Sequence, residues 1–172
     1  MNEPHLPERC SGCGFEIARG AAGCQTIFEE LVARDFSDVR FGRMHRMLVD
    51  IYSLQHPDRY GASAKSFAAH LTGLCWSVEH QAASRARGNE ALRIWIDGDP
   101  GIARPDAPSF RGALTIAHVR AQSDPAAYAR AVEEWARSTW EAYAPLHERA
   151  HQWIEQAYRG QPRPARPKGS TF

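Results

Sequence analysis

Residues 41–57 read FGRMHRMLVDIYSLQHP. In this segment the apolar side chains recur at spacings of three and four residues, which is the pattern of an amphipathic helix. The pattern ends at Pro57, because helices rarely continue into a proline. The segment therefore predicts a helix that packs its apolar face against a core.

Similar stripes predict the neighbouring helices. One runs over 25–36, one follows Ser63 and fades near Gly88, and a long final helix begins at Pro125 and kinks at Pro145. No sustained alternation of period two indicates a sheet. We therefore expect an all-α bundle of about four main helices.

Other segments are expected to be short or irregular. Residues 97–112 hold three prolines and several glycines, which predicts a long Pro/Gly loop on the surface. This loop lies between a short helix over 89–96 and a small helix over 117–121 that Thr115 caps. Prolines interleave with basic residues over 160–172, which predicts a disordered tail. The predicted organisation is a single domain made of an N-terminal segment (1–24) and a helical bundle (25–159), followed by this tail (160–172).

Charge and composition exclude several classes of function. The 172 residues carry 21 Lys and Arg against 20 Asp and Glu, a net charge of +1, so we expect no nucleic-acid partner. No window is long and apolar enough for a membrane span. The first residues include Pro4, Pro7 and two acids where a secretory signal needs an apolar core, which predicts a cytoplasmic protein. In that reducing compartment the N-terminal cysteines are expected as thiolates or metal ligands rather than disulfides.

The strongest chemical signal is a C-x-x-C turn in residues 10–14, CSGCG, followed by a third cysteine, Cys24. Structural zinc takes four soft ligands of this type in a tetrahedron. A redox pair of Cys10 and Cys13 is the alternative, but that motif normally opens a helix after a strand, and no strand is predicted before it. We therefore expect residues 1–24 to form a metal-binding knuckle with zinc as its cofactor.

Helical geometry favours His56 as the fourth zinc ligand. If the two helices that follow the knuckle form an antiparallel hairpin, the start of the first lies beside the end of the second, which places Cys24 level with His56. His45 lies on the same helical face as His56 but about 16 Å away, so the two cannot share one ion. His45 and His5 stay open as alternatives, and a solvent molecule as fourth ligand would leave the site open.

Two further groups suggest catalysis. Asp50 and His70 are expected at similar heights on adjacent helices, where the aspartate either orients a ligand histidine or satisfies a buried one. Residues 147–151, HERAH, match the H-E-x-x-H pattern of zinc proteases, but only a Pro-rich tail follows to supply a third ligand. The rival to a structural zinc protein is thus a metal-dependent hydrolase or thiol-linked transferase. Its catalytic candidates are Asp50, His56, His70 and His147.

A third hypothesis is an interaction module. It would present the Pro100–Pro108 loop or the aromatic final helix to a protein partner, and a homo-oligomer is also conceivable. Large aromatic side chains along that helix are expected mainly as core and interface anchors. They are Trp135, Trp140, Tyr143 and Trp153. Cys75 is expected in the core of the third helix, and no reaction or substrate is predicted.

A larger set of motifs extends over most of the chain. They are Cys10-x-x-Cys13-Gly14, Gly23-Cys24, His45 with Val49-Asp50-x-Tyr52, Gln55-His56-Pro57, His70-Leu71-x-Gly73-Leu74, Gly112-x-Leu114-Thr115 and the tryptophans Trp135, Trp140 and Trp153. Together they resemble a bacterial family of small soluble proteins to which no activity is assigned, so the resemblance implies none. The family pattern carries arginine where His151 stands, which weakens the protease hypothesis. It also places more residues between the C-x-x-C and the third cysteine, which implies a tighter metal cage here.

A looser likeness, of ligand type and order only, is to the DinB-type metal-binding bundles. In those bundles one histidine from an early helix joins an H-x-x-x-H pair on a later helix. His45 or His56 together with His147 and His151 would fit that scheme.

Overall fold

The computed structural model of the chain describes residues 7–80 and 82–159. Within these ranges lie nine α-helices, a short 3-10 helix and one two-stranded antiparallel sheet. The strands are β1 (Pro7–Arg9) and β2 (Glu16–Ala18), and the helices are α1 (Gly20–Ser37), α2 (Val39–Gly42), α3 (His45–Gln55), α4 (Pro57–Tyr60), α5 (Ala64–Glu79), α6 (Ala82–Asp97), α7 (Ile116–Arg120), α8 (Pro125–Ala142) and α9 (His147–Arg159). The all-α class is confirmed. No helix within the described ranges has the length and apolar character needed to span a bilayer.

Helix α3 lies at the centre of the bundle and packs mainly against α5 and α8. Every residue from Met47 to Gln55 is buried except Val49. Neighbours therefore surround the second half of this helix, whereas the sequence predicts one apolar face. The buried Nε2 of Gln55 is satisfied, because it donates to the carbonyl oxygens of Arg111 at 2.9 Å and Leu114 at 2.8 Å.

The predicted helix over 41–54 is divided in two. Helix α2 ends at Gly42 and α3 begins at His45. The chain approaches α1 closely at this break, since a Cβ on Gly42 would lie 2.6 Å from the carbonyl oxygen of Asp35. Helix α1 itself begins at Gly20 and not at residue 25. The sequence pattern misses this first turn because its residues are mainly glycines and alanines, which show no apolar stripe.

The final helix is also divided. We expect a kink at Pro145 within one long helix, but this proline lies in a 3-10 helix, Ala144–Leu146, that separates α8 from α9. Proline removes a helical hydrogen bond and clashes with the preceding turn, which explains the break. The predicted cap of α8 is present, because the Ala127 N–H donates to Asp124 Oδ2 at 2.8 Å.

The prediction that Gly88 ends a helix is wrong. Helix α5 ends at Glu79, and α6 runs from Ala82 to Asp97 straight through this glycine. Gly88 is buried, and a Cβ there would lie 2.2 Å from Trp76 Cε2. The glycine therefore allows α6 to pack closely on the indole ring of α5.

The expectation of no sheet is also wrong in one place. Strands β1 and β2 pair antiparallel, with Glu8 opposite Ile17. Each strand has three residues, which is too short to show an alternating pattern. A strand does precede Cys10, but the C-x-x-C motif lies in the turn of this hairpin and not at the start of a helix.

The long loop between α6 and α7 is present and is tied to the bundle. Its apolar residues Ile102, Ala107 and Leu114 pack against the core. The Nε of Arg104 donates to the carbonyl oxygen of Gly61 at 2.6 Å. The predicted tail over 160–172 lies outside the described residues.

Candidate metal centre

The hairpin of β1 and β2 carries two of the cysteines in its turn. The N–H of Cys10 donates to the carbonyl oxygen of Phe15 at 2.8 Å, and the N–H of Gly14 donates to the carbonyl oxygen of Cys10 at 2.8 Å. Gly14 has a φ of 77°, a left-handed conformation that glycine adopts without strain. These bonds close the turn that carries Cys10 and Cys13.

The bundle supplies the other two donor side chains. Cys24 lies near the start of α1 and is completely buried, and His56 directly follows α3. A Cβ on Gly12 would lie 2.2 Å from His56 Cδ2, and a Cβ on Gly23 would lie 2.1 Å from the carbonyl oxygen of Ala18. The two glycines therefore let the hairpin lie directly against the imidazole and against α1.

Four donor atoms meet at this contact, and all lie within 4.8 Å of one another. They belong to Cys10, Cys13, Cys24 and His56. The sulfurs of Cys13 and Cys24 are 3.7 Å apart, and His56 Nε2 lies 3.3 Å from the sulfur of Cys10 and 3.6 Å from that of Cys24. A tetrahedral zinc ion separates two sulfurs by about 3.8 Å and a sulfur from a nitrogen by about 3.6 Å. The four side chains are thus positioned to hold a metal ion.

A backbone bond orients the imidazole of His56 for coordination. Its Nδ1 lies 2.7 Å from the carbonyl oxygen of Tyr52, which can only accept, so Nδ1 carries the proton. Nε2 is then the nitrogen that can bind a metal ion in place of a proton, as it does in many metal-bound histidines. The Tyr52 ring stacks on the imidazole at 4.0 Å and is itself covered by Phe28 at 3.9 Å. This stack fixes the plane of the ligand ring.

The electrostatics of the cluster favour a cation. Hydrogen bonds from Cys13 and Cys24 lower the pKa of Cys10, whereas the contacts of Cys24 with Cys10 and Cys13, together with burial, raise the pKa of Cys24. Burial lowers the pKa of His56, but its contacts with Cys10 and Cys13 outweigh burial and raise that pKa to about 9. Two or more thiolates in this pocket are therefore unfavourable unless a positive charge lies beside them. A bound metal ion would supply that charge.

The alternative fourth ligands do not join this cluster within the part of the chain that the structure describes. Nδ1 of His45 lies 3.4 Å from Oδ2 of the buried Asp35, and the His45 ring packs on Phe36. His5 lies outside the described residues. His56 is therefore the histidine that the fold brings to the three sulfurs.

The buried Asp50 and the half-buried His70 form a separate pair. Asp50 Oδ1 lies 2.9 Å from His70 Nδ1, and Arg46 Nε donates to Asp50 Oδ2 at 2.8 Å. A Cβ on Gly73 would lie 2.4 Å from the same Oδ2. The carboxylate thus has a partner for each oxygen and is enclosed by α5, which is the arrangement of a satisfied core aspartate.

The two histidines of the H-E-x-x-H segment turn to different partners. His147 Nε2 lies 2.8 Å from the carbonyl oxygen of Trp140, and the imidazole stacks on the Trp140 indole at 3.8 Å. His151 Nε2 lies 2.7 Å from Glu79 Oε2. The structure therefore brings the catalytic candidates into three separate arrangements, one around His56, one around Asp50 and one around Trp140.

Arg111 supports the candidate centre from the long loop. Its Nη1 donates to the carbonyl oxygen of Gly12 at 2.8 Å and to that of Gln55 at 3.4 Å. One guanidinium thus joins the C-x-x-C turn to the residue before His56. No local pattern around Arg111 signals this role, because the two acceptors are backbone atoms from distant segments.

The chain matches the model of the family DUF5946, described as a family of unknown function, over residues 8–144. No curated protein and no solved structure matches the chain. The matched range runs from β1 to the end of α8 and contains all four donor residues of the centre.

Proposed function

The chain belongs to DUF5946, a family of unknown function, and we propose that it is a small zinc-binding protein whose ion is structural. The ligands are Cys10, Cys13, Cys24 and His56. The observation that carries the proposal is that one nitrogen and three sulfurs lie within 4.8 Å of one another, with separations of 3.3, 3.6 and 3.7 Å between three of the pairs. Three thiolates and one imidazole suit zinc, whereas harder cations such as magnesium and calcium prefer oxygen ligands.

A structural role is supported by the number of ligands. Four protein ligands complete the zinc tetrahedron, while catalytic zinc keeps one position for solvent or substrate. Cys10 and Cys24 are buried and Cys13 and His56 are half-buried, which supports a closed centre. In this proposal residues 1–24 form the metal-held knuckle and 25–159 form the bundle.

The poor apolar burial of the knuckle supports the same role. Of residues 7–19, only Cys10 is buried. A segment with so little apolar burial gains little free energy from the hydrophobic effect, so metal coordination must order it. The ion thereby ties the hairpin to α1 and to the end of α3. The cytoplasm, whose reducing conditions keep thiols free, is the compartment we propose for this chemistry.

Elemental analysis of the purified full chain tests the proposal. We expect about one zinc per chain in wild type and a large loss in Cys13→Ser, because oxygen replaces a half-buried sulfur ligand. Ser11→Ala is the matched control, since residue 11 lies in the same turn and is exposed. Equal zinc in wild type and Cys13→Ser, or equal loss in both variants, would contradict the proposal.

A further inference from the structure

A second group of metal-ligating side chains lies between α5 and α9. Glu79 Oε2 lies 3.7 Å from Cys75 Sγ and 2.7 Å from His151 Nε2, and the three donor atoms lie within 4.8 Å of one another. Cys75 and Glu79 are four residues apart, so they share one face of α5. Helix α9 packs against α5 and brings His151 to that face.

We propose that Cys75, Glu79 and His151 form a second cation site, which takes a divalent transition-metal ion such as Zn²⁺. The site is separate from the Cys₃His centre and does not depend on it. A thiolate, a carboxylate and an imidazole are all common zinc ligands, and the soft sulfur selects against magnesium and calcium.

The spacing of the donors is close to that of a tetrahedral site. A zinc ion separates sulfur from oxygen by about 3.6 Å and nitrogen from oxygen by about 3.4 Å. The Cys75–Glu79 separation of 3.7 Å already agrees. The His151–Glu79 separation of 2.7 Å is that of a hydrogen bond, which the ion would replace. The separation of this pair must grow by about 0.7 Å, and the side chains of His151 and Glu79 are 50% and 32% exposed, so they have room to move.

Trp140 orients the carboxylate of this cluster. Its Nε1 donates to Glu79 Oε1 at 3.1 Å. The other oxygen, Oε2, is therefore the one turned toward Cys75 and His151. A ligand carboxylate held in this way by an outer hydrogen bond is typical of metal sites.

The burial of the three donors determines the kind of site. Cys75 is completely buried, whereas Glu79 and His151 are partly exposed. An ion between them would have protein on one side and solvent on the other. Solvent would therefore complete the tetrahedron, which is the open coordination that a structural centre lacks. The site uses Cys75 and His151, neither of which belongs to the Cys₃His centre. His151 is the second histidine of the H-E-x-x-H segment.

Cobalt addition to the protein as purified tests this site. Co²⁺ is added to the full chain, bound cobalt and retained zinc are measured by elemental analysis after dialysis, and thiolate-to-cobalt charge-transfer absorption is recorded. We expect cobalt binding with a thiolate band and with no loss of the metal already present. Cys75→Ala should abolish the band, and Glu79→Gln and His151→Gln should each weaken cobalt binding about tenfold or more.

Glu148→Gln is the matched control, because it removes a carboxylate from the same α9 without touching the cluster. Cobalt bound only in exchange for the metal already present would overturn the proposal, as would a thiolate band that persists in Cys75→Ala. Circular dichroism checks that each variant is folded. If Cys75→Ala does not fold, unchanged cobalt affinity in both Glu79→Gln and His151→Gln overturns the proposal by itself. Because the zinc content of Cys13→Ser tests the first centre independently, failure here does not touch the structural zinc proposal.

Discussion

Replacement of Gly12 by alanine tests whether the close approach of the hairpin to His56 creates the metal centre. A Cβ at residue 12 would lie 2.2 Å from His56 Cδ2 and 2.8 Å from Nε2, the proposed coordinating atom. Carbon atoms in ordinary contact are about 3.5–4.0 Å apart, so the turn and the ring must separate by more than about 1 Å. Gly12 does not have a positive φ, and the effect of alanine is therefore steric.

The expected magnitude follows from the narrow tolerance of metal coordination. Ligand distances in real sites stay within about 0.2 Å of their normal values. A shift of about 1 Å removes His56 from the ion and leaves three sulfur ligands. Loss of even an outer partner costs about 10–100-fold in metal affinity, so we expect Gly12→Ala to weaken zinc binding at least about tenfold. That change corresponds to about 1.4 kcal/mol or more.

Competition for zinc with a chromogenic chelator, at constant pH and salt, measures this change. Gly14→Asn is the matched control in the same turn. Its φ of 77° is one that asparagine tolerates, and a Cβ there would meet nothing within 4 Å. The control should bind zinc within about threefold of wild type. Wild-type affinity in Gly12→Ala, or an equal loss in the two variants, would refute the reasoning.

Three further predictions concern the ion and the core. Removal of zinc by a chelator should raise amide hydrogen exchange in residues 7–24 before it does so in α5 and α8, and simultaneous loss of protection throughout would show that the ion does not organise the knuckle locally. Gly88→Ala should lower the free energy of unfolding in urea by about 1–2 kcal/mol, because the clash with Trp76 exceeds the gain in helix propensity; the exposed neighbour variant Asn89→Ala should not lower it, and stabilisation of Gly88→Ala would contradict the packing argument. Burial raises the pKa of Asp35 above its ordinary value of 3.8, against smaller opposing effects of Tyr128 and neighbouring cations. The folded chain therefore binds the proton of the Asp35 carboxyl more tightly than the unfolded chain does. The contribution of Asp35 to the free energy of unfolding should therefore fall as the pH rises from about 4 through the raised pKa. Urea unfolding across this pH range should show that the free energy of unfolding declines less in Asp35→Asn than in wild type. Identical pH profiles for the two proteins would count against the prediction.

The larger helices could be predicted because their burial follows the period of the helix. The prediction of a helix end at Gly88 was wrong, because this residue of low helix propensity lies inside α6. Glycine indicates either a break or a close approach of two elements, and only the position of Trp76 distinguishes them. The strands of the hairpin could not be predicted either, because three residues are too few to establish an alternation.

The candidate metal centre was predictable to the extent that local geometry determined it. The C-x-x-C spacing is a local motif. The expectation that Cys24 lies beside His56 needs only the packing of two helices that are neighbours in the chain. Arg111 and the second cluster depend instead on contacts between segments far apart in the chain, such as Cys75 on α5 with His151 on α9. A pattern in a single segment carries no signal for such contacts.

The contacts of Gln55 and Arg111 extend the effect of the metal centre beyond the hairpin. Gln55 donates to the carbonyl oxygens of Arg111 and Leu114 in the long loop, and Arg111 donates back to Gly12 and to Gln55. Gln55, the residue before His56, is therefore hydrogen-bonded to the loop. The loop is in turn hydrogen-bonded, through Arg111, to the turn that carries Cys10 and Cys13. Metal coordination at His56 would constrain both the turn and the residue that holds the loop. Because the loop has no helix or strand between Asp97 and Ile116, these side-chain bonds help to order it, together with the Arg104–Gly61 bond and a few apolar contacts. A structural ion at this point would thus stabilise the hairpin directly and the end of the loop through Arg111.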